Sequence, residues 1–235
     1  MFIKTSTIHR QFESEGGNER ADFLWRLYLK LHGPSNVSSY LDIGTWNFKN
    51  IRTFEQNLKP TTTVALDIEP KDRGKTTFVV ADATYLPFRR DSFSLVTMLS
   101  VIEHLADQTG CLAEVLRVAG KGCVFLQIPN RYFPIELHTG IPFYFYLPRV
   151  VRPALLTRTR NEWAAHVNIP SVRRMKRQLS LLAPNRKSSI CGFYYPENVV
   201  PKTTTVRIFH RIFKWLHLFS IFPMGYTVLV RRQNN

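Results

Sequence analysis

At 235 residues, 44% hydrophobic and 21% charged, the chain is long enough to bury one good-sized core, and its composition excludes disorder, collagen and coiled coil. Three cysteines without metal-like spacing argue against a structural zinc and suit free thiols in a reducing cytoplasm. The formal net charge of +15 is uneven: residues 1–149 carry 17 Lys and Arg against 15 Asp and Glu, residues 150–235 carry 15 against two.

In chain order, the opening stretch MFIKTSTIHRQFESEGGNER lacks the apolar run of a secretory signal. SYLDI (39–43) predicts a first strand, followed by the turn GTWNF and a helix over FKNIRTFEQNL (48–58). TTVALD (62–67), KTTFVVAD (75–82) and SLVTML (94–99) predict the second to fourth strands. ADQTGCLAEVLRV (106–118) has apolar residues at helical spacing, and GCVFLQIP (122–129) predicts a fifth strand. SVRRMKRQLSLL (171–182) and TVRIFHRIFKWLHLF (205–219) predict helices, with SSICGFYYP (188–196) and GYTVLVRR (225–232) as the last two strands, one antiparallel to the rest. Unbroken apolar runs such as VFLQI indicate strands covered on both faces, hence a parallel sheet. The expected fold is α/β: a doubly wound, seven-stranded, mostly parallel sheet with one antiparallel strand and helices on both faces. Neither PFYFYLP nor the interrupted apolar tail from 213 to 230 reads as a membrane span.

In such a fold ligands sit beyond the carboxyl ends of the strands. Asp42 ends the first strand, Asp67 the second and Asp82 the third, with the Ala83 amide beside it. A carboxylate at the second tip suits two ribose hydroxyls, one at the third an adenine amine, and one at the first an ammonium reached through water. Gly44 lets backbone approach a ligand closely. Strand-end aspartates are also ordinary turn residues, so one alone says little, while three on successive strands say more. A nicotinamide site needs the full glycine set for its pyrophosphate, and Trp46 and Phe48 stand where two of those glycines would be. A ligand without phosphates makes a smaller demand on the loop.

The stretch VVADATYLPFRRDSFSLVTMLSVIEHL (79–105) resembles the middle of the Rossmann-type S-adenosylmethionine-dependent methyltransferases, small-molecule branch, and PNRYFPIELHTGIPFYFYLP (129–148) is similar to their segment after the fifth strand. The resemblance implies S-adenosylmethionine as cofactor. It places Asp42, Gly44 and Thr45 at the methionine end, Asp67 on the ribose with Ile68 beside the adenine, Asp82 and Ala83 on the adenine, and the main chain at Leu99 by the amino group. It implies one methyltransferase domain over 1–235: an N-terminal helical segment (1–35), a cofactor-binding core (36–130), a variable acceptor cap (131–184) and a basic C-terminal part (185–235). Two departures stand out. Ser94 replaces an acid, and Trp46 and Phe48 replace glycines, with Asn47 between them able to turn the chain and cap the helix.

Methyl transfer to a hydroxyl needs alignment and a base. His138, Glu136 and His104 are the candidate catalytic residues at the acceptor rim, His138 foremost because imidazole titrates near neutrality. The two histidines also have plainer readings, His138 as a loop residue bonded to a backbone carbonyl and His104 as a helix-start residue filling space beside the cofactor. Glu103 is a further candidate. No metal is expected, because Ser100 stands where metal-dependent relatives that methylate quinone precursors carry an acid. Tyr132, Tyr144 and Tyr146 are candidates to line an acceptor pocket.

The cationic back half implies an anionic partner. A small-molecule or lipid-linked anionic acceptor suits the aromatic cap and the charge together. RNA suits the charge alone, and a non-catalytic binding protein is the remaining alternative. The helix at 205–219 is read as covering the sheet, with peripheral membrane contact as its second reading.

Overall fold

The computed structural model describes residues 17–33, 36–46, 48–71, 76–196 and 204–232. Seven strands, β1 (Ser39–Ile43), β2 (Thr62–Asp67), β3 (Thr77–Val80), β4 (Leu95–Leu99), β5 (Cys123–Pro129), β6 (Arg186–Phe193) and β7 (Gly225–Arg232), form one sheet ordered β3-β2-β1-β4-β5-β7-β6. β7 runs antiparallel to both its neighbours and the other strands pair in parallel, so six share one direction and a single strand opposes them, as the sequence predicts. The described helices are α1 (Gly17–His32), α2 (Lys49–Leu58), α3 (Gln108–Ala119), α4 (Arg152–Arg158), α5 (Val172–Leu182) and α6 (Thr204–Trp215).

Alternation along each strand sorts the core into two layers. Leu41, Ile43, Val96, Met98, Val124, Leu126, Ile128, Val228 and Val230 face α3 and α5, which contribute Leu112, Val115, Met175 and Leu179. Tyr40, Leu95, Leu99, Phe125 and Leu229 face α1 and α2, which contribute Leu24, Tyr28, Ile51 and Phe54. Each large side chain so buried contributes about 1.5–3 kcal/mol relative to exposure. The helices start where the sequence supplies caps: the Asp107 carboxylate accepts from the Gly110 amide above α3, and the Ser171 hydroxyl from the Arg174 amide above α5.

Several expectations shift. β3 is trimmed to four residues, and β6 begins at Arg186, two residues early, and ends at Phe193. The helix at 205–219 breaks, because His217 takes a left-handed conformation (φ 53°) and only a short 3-10 turn, Leu218–Ser220, follows. α5, grouped with the cap on sequence, packs its Met175 and Leu179 into the main core. Asn47 lies outside the described residues; Phe48 makes the left-handed turn into α2 (φ 58°) without a side-chain cap. Among the described residues, no helix is long and apolar enough to cross a membrane.

Candidate functional site

Because β1 to β5 are parallel, their carboxyl ends lie along one edge of the sheet, and the residues singled out at strand ends come together there. The turn after β1 folds against β2: the Gly44 and Thr45 amides both donate to the Leu66 carbonyl, at 2.8 and 3.1 Å. Gly44 has φ 74°, and a Cβ added there would meet Val101 at 2.2 Å, so the position demands glycine for both backbone and space.

The three acids sit in different settings. Asp42 is buried; its carboxylate accepts from the Thr45 and Thr97 hydroxyls, and Thr97 in turn bonds the Tyr40 hydroxyl. Burial raises its pKa to about 6 despite those two hydrogen bonds. Asp67 accepts from the Glu69 amide at 3.2 Å and pairs with the Lys71 ammonium at 3.3 Å. A carboxylate has about four lone-pair positions, so two remain for other donors. Asp82 is exposed and accepts from the Thr84 amide and hydroxyl, which hold its pKa below the usual carboxylate range. Ala83 and Leu99 are buried, and Ile68 is exposed on the rim.

The aromatic residues of the turn part company. Phe48 is buried beneath α2, its ring 5.8 Å from that of Phe78. Trp46 stays 57% exposed, with the Lys71 ammonium 4.4 Å from its ring centroid. Phe48 is thereby withdrawn from the cleft, and Trp46 stands at its margin beside Lys71 and Asp67.

A second cluster forms where the short helix after β4 (Ile102–His104) meets the loop after β5. Glu136 is buried; one carboxylate oxygen accepts from His138 Nδ1 at 2.7 Å and the other from the Thr139 amide at 2.6 Å. The imidazole thus carries its proton on Nδ1, and Nε2 points toward Glu103, 3.8 Å from Oε1. The His104 ring stands edge-on to that of His138, with centroids 5.1 Å apart. Burial alone would depress the His138 pKa, but the charge and hydrogen bond of Glu136, with Glu103 behind, raise it above its ordinary 6.5. Burial alone would likewise raise Glu136, yet His138 and the Thr139 amide hold it low. Glu103 is wholly buried, neither carboxylate oxygen has a hydrogen-bond partner, and burial pushes its pKa up to about 7. Ligand atoms of Glu103, His104 and His138 lie within 4.8 Å of one another, a spacing that a divalent cation could bridge. Tyr144 is buried in the cap, while Tyr132 and Tyr146 are half exposed and joined by a hydrogen bond from the Tyr146 hydroxyl to the Tyr132 carbonyl.

Glu103 yields the first expected result. Its folded pKa lies above the ordinary 4.5, so the folded state holds the proton to higher pH than the unfolded chain. Stability is therefore lost as pH rises from about 4.5 through about 7. Glu103→Gln should raise stability by up to about 3 kcal/mol at pH 8 and leave it little changed at pH 4.5, read by urea unfolding. Equal effects at the two pH values would contradict a strained carboxylate.

Two participants carry no sequence signal. Arg20 of α1 donates to Gln127 (2.8 Å) and Ser100 (3.0 Å) across the sheet edge, and its charge counters part of the cost of burying Asp42. Lys71 reaches Asp67 from a turn rather than from a helix.

Residues 41–126 match the model of a methyltransferase-domain family. No curated protein matches the sequence. Among solved structures, a chain from the complex of the Haloferax volcanii Trm112 methyltransferase activator with a methyltransferase is similar at TM-score 0.62 and 14% identity, covering 100% of this chain and 99% of that one. The plantazolicin methyltransferase BpumL, solved with S-adenosylhomocysteine, is similar at TM-score 0.59 and 12% identity, covering 96% and 89%. An S-adenosylmethionine-dependent methyltransferase from Mesorhizobium loti is similar at TM-score 0.57 and 15% identity, covering 89% and 98%. The architecture is that of the Rossmann-type methyltransferases.

Proposed function

We propose that this chain, whose residues 41–126 carry a methyltransferase domain, transfers a methyl group from S-adenosylmethionine to an oxygen or nitrogen of a small or lipid-attached acceptor. The observation that carries the reading is the buried Glu136–His138 pair, set on the same sheet edge as the Gly44 turn and the aspartates at the strand ends. S-adenosylmethionine, when bound, supplies an electrophilic methyl group on a sulfonium. The residues present suit it: Gly44 lets the turn close against Val101 and β2 with no side chain between, Phe48 is withdrawn into the core, and Asp67 keeps acceptor capacity for ribose hydroxyls. Asp82 with the Ala83 amide reads the adenine edge, Ile68 covers its face, and the main chain at Leu99 meets the amino group. Gly44 and Thr45 border the methionine end. Asp42 acts from below as a negative charge held under the turn by Thr45 and Thr97.

His138 accepts the acceptor's proton at Nε2, while Glu136 holds Nδ1–H and stabilises the imidazolium that forms. His104 borders the same ring and orients it. The acceptor is anionic or carried on an anionic lipid, a reading supported by the cationic half of the chain and by the aromatic cap. The three free cysteines support a cytoplasmic setting.

Incubating the protein with radiolabelled cofactor and fractionated cell extract tests this directly. Label should enter the lipid or small-molecule fraction. Label in RNA would transfer the assignment to RNA methylation, and no label from folded, cofactor-binding protein would leave only a binding role.

A further inference from the structure

The C-terminal helix presents an apolar stripe that packs against none of the other described elements. The buried side of α6 is settled: Phe213, with Phe219 of the turn that follows, packs with Phe133, Ile135, Phe193, Tyr195 and Met224, and His210 Nε2 bonds the Tyr195 carbonyl at 2.9 Å. On the opposite side, Ile208, Ile212, Trp215 and Leu216 recur at helical steps and remain 51%, 43%, 79% and 47% exposed. Ile221, beyond the short turn, is 67% exposed. At about 100° per residue, Arg207, Arg211 and Lys214 fall in one row between this stripe and the buried face, and all three are exposed. No acidic residue occurs anywhere in 204–232.

A surface helix normally turns charge outward over such an arc, and adjoining exposed apolar groups mark an interaction site. The occupant must take up branched aliphatic side chains and an indole while meeting a row of cations. A second copy of the chain brings the same positive row and is repelled. A nucleic acid satisfies the cations but offers Ile208, Ile212 and Leu216 neither a hydrocarbon phase nor a stacking surface. An anionic bilayer satisfies both at once: the stripe enters the acyl boundary, Trp215 settles at the interface, and the arginine and lysine heads remain among the phosphates.

We infer that α6 is a preformed docking face for an anionic phospholipid membrane, a function independent of catalysis. Phe213 touches Phe133 at 5.6 Å between ring centroids, three residues before Glu136, so docking sets the loop of the His138 pair close to the lipid surface.

The test is co-sedimentation of the full chain with phosphatidylcholine vesicles with and without phosphatidylglycerol. The protein should pellet with the anionic vesicles and much less with the neutral ones. Ile212→Ser with Trp215→Ser, both on exposed positions, should weaken partitioning at least about tenfold. Reversing Arg207, Arg211 and Lys214 to glutamate should weaken it about a hundredfold, since each cation near an anionic surface is worth about fivefold. Trp215 emission, taken as the difference from Trp215→Phe, should shift to the blue on binding. Recovery in the supernatant would overturn the inference. So would binding that the serine variant leaves intact while RNA competes it away, which would assign the face to nucleic acid.

Discussion

His138→Ala should lower the turnover number by about 10²–10⁴-fold with little change in KM, the usual cost of losing a positioned base. The pH profile separates this role from a structural one. The wild-type rate should rise with pH through a midpoint above 6.5, because the base works deprotonated and Glu136 raises its pKa. In His138→Ala that limb should vanish. In Glu136→Gln, where the charge that raises the imidazole is gone, it should move to lower pH, and the rate should fall as Nδ1 loses its acceptor. Activity should survive chelation by EDTA. Loss on chelation with recovery on adding a divalent ion would replace the base by a cation held by Glu103, His104 and His138. An unchanged pH limb in His138→Ala would remove it from the reaction.

The second large effect falls on the cofactor. Asp67→Ala should weaken S-adenosylmethionine binding about 10²-fold in calorimetry. Two charge-assisted bonds to the ribose, about 1.5–3 kcal/mol each, are lost, offset in part by water. Thermal unfolding should shift far less than affinity, because among the described residues the charged contacts given up are a partly buried pair with Lys71 and a turn bond from the Glu69 amide. Unaltered affinity would show that the ribose is not held at this strand tip and would undo the placement of the nucleoside.

Most of the sheet was legible because each inner strand is an apolar run whose length sets its limits, as in VFLQI of β5 and VLV of β7, buried on both faces. Asp67 was legible for a related reason: a charged residue closing an apolar run marks where β2 leaves the sheet, whereas Asp42 is paired inside β1 with Ile43 after it, and Asp82 lies two residues beyond β3. Local pattern does not encode every outcome. Phe48 makes the left-handed turn into α2, since burial among Phe54 and Phe78 offsets an uncommon backbone geometry. α5 carries four cations within five residues and reads as surface, yet Met175 and Leu179, with Leu182 beside them, seat it in the main core. Arg20 is invisible for the same reason: its partners Ser100 and Gln127 are 80 and 107 residues away, and nothing near it in sequence announces them. The Glu136–His138 pair was named, but the isolation of Glu103 emerges only once the loop after β5 has closed over it.

The place of β7 has a consequence for how the chain is born. It is the latest strand in order yet lies between β5 and β6, joined to both. While the ribosome is still making residues 130–224, β5 ends the nascent sheet with a bare row of amides and carbonyls, and β6 has nothing to pair with. That interval is the one in which the polypeptide is most open to mispairing with a neighbour and to chaperone capture, and it closes only when the opposing strand slots in.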